Sequence, residues 1–226
     1  MMEQRKRIAI YGGTFDPVHS AHLEIARRVT QLFEIDTFLM VPAKLAPHKF
    51  DREVSSPLHR YAMLALATSA ERRVSISTFE LDGPGRQYTV DTIAHFRAQF
   101  GESTDLFFVM GADSWTEIST WYEWRRLITL TNLIVVTRPG YVINLDQAGA
   151  ETAARIVDLR DSEMERVSVD EGARKVFVTN VVRMDVSATD IRRAAQTGSA
   201  ELNSLVPAEV ADYIRKYGLY RKTHEA

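Results

Sequence analysis

Cysteine is absent from this 226-residue chain, and charges of the two signs nearly cancel, leaving a net charge of −2 at pH 7. The lack of cysteine excludes disulfide bonds, thiolate metal sites and cysteine nucleophiles. The near-neutral charge argues against a bulk nucleic-acid-binding protein, which would carry a strongly basic face. No apolar run approaches the roughly 18 residues needed to span a membrane, and the N-terminal segment lacks the apolar stretch of a signal peptide. We therefore expect a cytoplasmic protein without a membrane or nucleic-acid partner.

Two common nucleotide-binding motifs are also missing, because neither GxGxxG nor GxxxxGK[ST] occurs in the sequence. Their absence argues against a dinucleotide-dependent hydride-transfer enzyme and against a P-loop kinase. The chain does contain 45% apolar and 26% charged residues, an ordinary composition for a globular protein with a hydrophobic core. The length suits a single domain over residues 1–226, with a C-terminal helical part over about 187–226.

Apolar runs typical of buried strands alternate along the chain with segments of helical spacing. The predicted strands are 7–11, 37–41, 73–77, 105–110, 132–137 and 175–179. The predicted helices are 19–34, 57–70, 89–100, 146–158, 188–196 and 207–217. Several strands are apolar throughout, as expected when helices cover both faces of a parallel sheet. The pattern predicts an α/β fold: a doubly wound, Rossmann-like parallel sheet with helices on both faces and a small C-terminal helical extension.

The stretch IYGGTFDPVHSAHLE, residues 10–24, joins the first predicted strand to the first predicted helix. Gly12 and Gly13 let the backbone approach a ligand closely, and the helix N-terminus offers free N–H groups to an anion. His19 and His22, three residues apart, lie on one face of that helix. Because the positive end of a helix disfavours cationic side chains unless an anion is bound, the stretch indicates a polyphosphate site.

Other interpretations of these histidines stay open on the residues alone. They are compatible with ordinary surface or capping positions. A zinc site with His48 as third ligand is disfavoured, because the metalloprotease pattern requires histidines at i and i+4 beside a glutamate. An acid–base pair is disfavoured because the neighbouring sequence offers no obvious serine or cysteine nucleophile system.

Two segments together resemble a known superfamily. GGTFDPVHSAH resembles the first signature of the HxGH-type nucleotidyltransferases, and SATDIRR at 187–193 resembles their second signature. Within that superfamily the sequence is similar to the bacterial nicotinate-nucleotide adenylyltransferases. The supporting segments are PHK at 47–49, YTVDTI at 88–93, GADSWTEISTWYEW at 111–124, VVTRPGY at 135–141 and VPAEVADYIRKYGLY at 206–220.

The resemblance implies a nucleotidylyltransferase fold and the transfer of AMP from ATP to nicotinate mononucleotide. The products would be deamido-NAD, a precursor in NAD biosynthesis, and pyrophosphate. Mg²⁺ would arrive with ATP, and no dedicated protein site for it is expected. The partners would be these small-molecule substrates, and homo-oligomerisation stays open. Alternatives are adenylyl transfer to nicotinamide mononucleotide or another phosphate ester such as phosphopantetheine, cytidylyl transfer, or a catalytically silent nucleotide sensor.

The resemblance also implies residue roles. Catalysis would fall to His19, His22 and Arg192. ATP would be bound by Gly12, Gly13, Thr14, Phe15, His19, His22, Gly111, Asp113, Ser187, Thr189 and Arg192. Nicotinate mononucleotide would be bound by Thr14, His48, Lys49, Thr89, Asp113, Trp121, Tyr122 and Arg138.

Each of these side chains also has an ordinary structural role to weigh. Trp121 would stack on the pyridine ring, while backbone N–H groups near Thr89 and Tyr122 receive the carboxylate; core packing is the alternative for this tryptophan. Ser187 and Asp113 would otherwise be helix caps.

The sequence departs from the family pattern at three positions. Ala21 stands where the first signature has glycine, Ala188 where the second has a hydroxyl residue, and Gln87 where serine is usual. We expect activity to survive these changes.

Overall fold

The computed structural model describes residues 5–45, 54–85, 87–138, 143–145, 149–160, 162, 165–169, 172–182, 184 and 186–221. Its strands are β1 Arg7–Gly13, β2 Thr37–Pro42, β3 Val74–Ile76, β4 Asp105–Gly111, β5 Asn132–Val136, β6 Ile156–Asp158 and β7 Val176–Thr179. They form one sheet in the order β3-β2-β1-β4-β5-β7-β6. Every pairing is parallel, from Phe38↔Val74 at one edge to Val157↔Phe177 at the other.

Helices connect the strands and cover both faces of the sheet. They are α1 Ser20–Leu32, α2 Pro57–Thr68, α3 Phe79–Asp82, α4 Thr89–Phe100, α5 Ala112–Thr116, α6 Trp124–Leu130, α7 Ala150–Ala153, α8 Ala188–Thr197, α9 Leu202–Leu205 and α10 Ala208–Tyr217. Side chains of β1 alternate between two buried clusters because successive strand residues face opposite sides. Ala9 packs with residues of α1, α2, α8 and α10, whereas Ile10 packs with residues of α4, α5 and α6. The predicted doubly wound α/β fold is thus confirmed.

The strand order reverses between β1 and β4. From β1 the chain proceeds to β2 and β3 on one side, then returns to place β4 on the other side of β1. In such a sheet the crevice outside the carboxyl ends of these two neighbours is where ligands bind. The loops after Gly13 and Gly111 therefore open at the same place.

One predicted helix, 146–158, is wrong in its second half. Within its described residues the structure has the short helix α7 and then the edge strand β6, which pairs with β7. A strand of three residues is too short to show its two-residue period, so helical spacing dominated the pattern. Helices α3, α5, α6 and α9 were not predicted, and each has only four to seven residues.

The C-terminal helices pack against the body of the fold. Ile191 of α8 and Val210 of α10 belong to the same buried cluster as Ala9 of β1. The Ser20 hydroxyl at the start of α1 donates to the Leu205 carbonyl at 3.1 Å. The C-terminal helices therefore share a hydrophobic core with the sheet. Among the described residues, no helix is long and apolar enough to cross a membrane.

A buried arginine stabilises the amino edge of the sheet, opposite the crevice. The Arg97 guanidinium donates to the carbonyls of Gly101, Thr104 and Leu130 at 2.8–3.2 Å. Burial lowers the pKa of Arg97.

We expect Arg97→Met to lower the free energy of unfolding by about 2–4 kcal/mol, because buried carbonyls lose their donors. Urea unfolding measures this, with the exposed Arg72→Met as control, expected within about 0.5 kcal/mol of wild type. A loss for Arg97→Met below about 1 kcal/mol would contradict the assigned role.

Candidate active site

The loop after β1 turns sharply around a buried phenylalanine. Phe15 has a left-handed backbone, with φ of 50°, and its ring is 3% exposed. The ring lies edge-on to Tyr11 and His22, with centroid distances of 5.6 and 5.0 Å. A Cβ atom on Gly13 would lie 3.0–3.2 Å from the Phe15 ring, closer than ordinary contact. Glycine at this position avoids a tight contact with the ring, which would have to shift by a few tenths of an ångström to admit a Cβ atom.

The two histidines stack on each other at the start of α1. Their ring centroids are 3.7 Å apart, and the ring planes are inclined by 27°. His19 is the N-cap residue, and its backbone N–H donates to Nδ1 of His22 at 3.2 Å. That bond leaves the proton of neutral His22 on Nε2. His22 is thereby oriented as a hydrogen-bond donor at its outer nitrogen.

His19 is held uncharged at neutral pH. Burial, with a smaller contribution from the positive charge of Arg138, lowers the pKa of His19 to about 4. Its buried Nδ1 atom has no hydrogen-bond partner among the described residues. The same guanidinium also acts on the buried Tyr11 hydroxyl, whose pKa burial raises. Arg138 thus lies near the loop, and its predicted role in binding the mononucleotide stays a prediction.

Arg192 connects the second signature to the first. Its Nη1 donates to the Asp16 carbonyl at 2.7 Å, and its Nη2 donates to Oγ1 of Thr189 at 3.0 Å. Ser187 is the N-cap of α8, and its Oγ accepts from the Asp190 N–H at 3.2 Å. The ordinary capping role of Ser187 is therefore present. The two signatures, 176 residues apart at this contact, meet beside α1.

The loop after β4 contributes an exposed ion pair. Gly111 ends β4 and precedes α5, which carries Asp113. Oδ2 of Asp113 lies 3.4 Å from Nη2 of Arg138, and both side chains are more than half exposed. Such a pair contributes little to stability, so a ligand can replace either partner at small cost.

An aromatic group flanks the loop on the side of β4. The Phe108 ring faces Gly12, where an added Cβ would lie 3.6 Å away, and it contacts Trp121 with centroids 6.3 Å apart. Trp121 is half-buried, so it packs in the core and still presents part of its surface. Beyond it, the exposed rings of Tyr122 and Tyr88 lie 4.5 Å apart. Thr89 follows Tyr88 as the first residue of α4.

Comparison with known proteins identifies the family of the chain. The model of the cytidylyltransferase-like family matches residues 10–194. A protein of Thermoanaerobacter sp. (strain X514) named "Probable nicotinate-nucleotide adenylyltransferase" is 38% identical over 224 residues, which cover 99% of each chain. A protein of the same name from Corynebacterium jeikeium (strain K411) is 35% identical, covering 92% of this chain and 98% of that one. The chain belongs to the nicotinate-nucleotide adenylyltransferase family. It is therefore a nucleotidyltransferase, and the resemblance seen in its two signatures is confirmed.

Solved structures agree on the fold. The Plasmodium falciparum nicotinic acid mononucleotide adenylyltransferase complexed with NaAD superimposes with a TM-score of 0.72 at 18% identity. The match covers 95% of this chain and 97% of that one. At this identity the likeness shows the nucleotidyltransferase fold alone.

Not every predicted site residue can be placed. His48 and Lys49 lie outside the described residues, so their roles stay predictions. Within the part of the chain that the structure describes, no group of three or more histidine and carboxylate side chains is arranged to hold a metal ion.

Sequence reasoning missed a second set of residues beneath the loop. Arg60, 1% exposed, donates to the carbonyl of Thr14 at 2.7 Å. The buried Asp16 carboxylate accepts from the Tyr220 hydroxyl at 2.9 Å. For Arg60 a signal was available, because it shares the buried face of α2 with Met63. A charged residue at an apolar helical position indicates a buried hydrogen-bonding role.

The lowered pKa of His19 predicts a pH dependence of stability without ligand. The unfolded chain takes up a proton near pH 6.5, whereas the folded protein does so only near pH 4. Stability is therefore lost as pH falls through this range, by about 2–3 kcal/mol between pH 7 and pH 4.5. In His19→Asn, which keeps an N-cap side chain but does not titrate, this part of the slope should vanish.

Urea unfolding of both proteins at pH 7 and pH 4.5 measures the difference. Identical losses of stability in the two proteins would contradict the proposed burial of a neutral His19.

Proposed function

We propose that the protein transfers the AMP moiety of ATP to the phosphate of nicotinate mononucleotide, forming deamido-NAD and releasing pyrophosphate. The observation that carries this proposal is the Arg192 bridge, which brings the second signature against the loop of the first. Full-length similarity to the nicotinate-nucleotide adenylyltransferases supports the choice of both substrates.

The chemistry requires mainly positioning and charge stabilisation. A phosphate oxygen of the mononucleotide forms a bond to the α-phosphorus of ATP. The bond between the α-phosphorus and the oxygen that joins it to the β-phosphorus breaks, and pyrophosphate leaves with that oxygen. Negative charge then grows on the departing pyrophosphate, so donors fixed around it lower the barrier. In our proposal these donors are Nε2 of His22, the Arg192 guanidinium and the Thr189 hydroxyl.

Mg²⁺ bound with ATP would screen the charge of the triphosphate. The described residues offer no cluster of three carboxylate or histidine ligands. Mg²⁺ bound with nucleotides usually takes phosphate oxygens and water as ligands.

His19 and Arg138 would respond to the bound nucleotide. A triphosphate beside them supplies negative charge, which favours the protonated imidazole and opposes the effect of the guanidinium. A bound triphosphate would therefore raise the pKa of His19 from the value to which burial and Arg138 lower it.

Acceptor recognition would use the aromatic side of the crevice. The half-buried Trp121 offers a flat surface for the pyridine ring. The first backbone N–H groups of α4, beginning at Thr89, and that of Tyr122 would receive the nicotinate carboxylate. Asp113 would bind a ribose hydroxyl, and Arg138 would bind the phosphate of the mononucleotide, as their exposed pair permits.

One assay tests the proposal against its alternatives. Purified protein is given Mg²⁺ and ATP or CTP, with nicotinate or nicotinamide mononucleotide, and pyrophosphate is followed. We expect the fastest release with ATP and nicotinate mononucleotide. No release with any pair would overturn the enzymatic proposal and favour a nucleotide sensor. Faster release with nicotinamide mononucleotide, or with CTP, would reassign the acceptor or the donor.

His22→Ala should lower kcat by about 100-fold while changing KM for the mononucleotide only a few-fold, because its donor acts on charge that grows in the transition state. Steady-state kinetics with pyrophosphate detection measures both constants. His95→Ala is the matched control, since His95 stacks on Phe79 and lies outside the loop. Equal factors in kcat and KM would contradict the role assigned to His22.

A further inference from the structure

Arg60 holds together three pieces of backbone around the candidate site. It lies on α2, and its side chain is almost completely buried. Its Nη1 donates to the Thr14 carbonyl at 2.7 Å, its Nε to the Ser55 carbonyl at 3.0 Å, and its Nη2 to the Lys44 carbonyl at 3.2 Å. Thr14 belongs to the loop after β1, whereas Lys44 and Ser55 belong to the connection from β2 to α2.

The planar guanidinium suits this arrangement of acceptors. Its donors diverge in one plane, so all three nitrogens reach separate carbonyls at once, which a lysine ammonium on a single nitrogen cannot reproduce. The contact with Thr14 is the important one, because that residue precedes the turn at Phe15 and the histidine pair. Burial lowers the pKa of Arg60, and the nearby Asp16 carboxylate opposes that shift. The Asp16 carboxylate, itself buried, also accepts the Tyr220 hydroxyl.

We propose that Arg60 is a positioning residue for nucleotidyl transfer: through the carbonyls of Thr14, Lys44 and Ser55 it fixes the loop after β1 in the shape that presents His19 and His22 to the triphosphate. It touches no reacting atom. This inference rests on the proposed function. It goes beyond both signatures, because Arg60 lies in neither.

Arg97 provides an internal comparison. It is also buried, it also donates to three different carbonyls, and burial lowers its pKa as well. It lies at the amino edge of the sheet, opposite the crevice. Loss of either guanidinium should therefore weaken the fold, but only the loss of Arg60 should disturb the loop.

The first measurement is kinetic. Arg60→Met should lower kcat by about 10- to 100-fold, the cost of a small displacement of catalytic groups, while Arg97→Met should stay within about threefold of wild type. Arg60→Lys should recover little of the loss, because charge alone does not restore the three contacts. A kcat for Arg60→Met within about twofold of Arg97→Met would overturn the proposal. So would full recovery in Arg60→Lys.

The second measurement needs no activity. Hydrogen exchange of the free proteins, followed by mass spectrometry, should show faster exchange in peptides covering residues 9–22 for Arg60→Met and not for Arg97→Met. An increase spread evenly over the chain, or one equal in both variants, would overturn the proposal. If Arg60→Met does not fold, hydrogen exchange over residues 9–22 is compared between Arg60→Lys and Arg97→Lys instead. Should wild type release no pyrophosphate, the proposed function fails while exchange still tests Arg60.

Discussion

The loop between β1 and α1 leaves the sheet, so its backbone carbonyls must find donors elsewhere. Two arginines supply them: Arg60 from α2 serves the Thr14 carbonyl, and Arg192 from α8 serves the Asp16 carbonyl. Both helices contribute residues to the buried cluster on one face of the sheet. The packing of that face therefore determines where the two guanidinium groups lie, and they in turn determine the shape of the loop. The position of the histidine pair follows from this requirement for hydrogen bonds.

The charged groups of the free site are likewise paired with polar partners or kept neutral. A site for a triphosphate needs positive charge when the ligand is present, yet uncompensated buried charge is costly when it is absent. Here His19 is neutral because it is buried beside Arg138, and Arg138 lies against the exposed Asp113. The Arg192 guanidinium donates hydrogen bonds to the Asp16 carbonyl of the loop and to the Thr189 hydroxyl of α8. In the free protein, Arg138 and Arg192 are thus paired with polar groups, and burial keeps His19 neutral.

Much of the fold could be predicted because the strands are apolar along their whole length, which indicates a sheet covered on both faces. The crevice between β1 and β4 then follows from the doubly wound connection rule. The segment 146–158 could not be read correctly, because a three-residue edge strand carries too little pattern. The role of Arg60 escaped prediction for a different reason: its position beside Met63 on α2 indicates burial, but its partners are carbonyls that only the tertiary structure brings together. The burial that keeps His19 neutral likewise has no signal in the sequence.

Ala21 shows which part of the first signature the architecture requires. It is the second residue of α1 and is buried, so its methyl group lies within the packing of the helix start. Alanine stabilises a helical position by about 1 kcal/mol relative to glycine, and here that position lies between His19 and His22. Gly13, by contrast, faces the Phe15 ring at a distance where an added Cβ atom would make a tight contact of 3.0–3.2 Å. The tighter steric constraint of the signature therefore lies at the turn, whereas at the helix start the buried Ala21 fits between the two histidines.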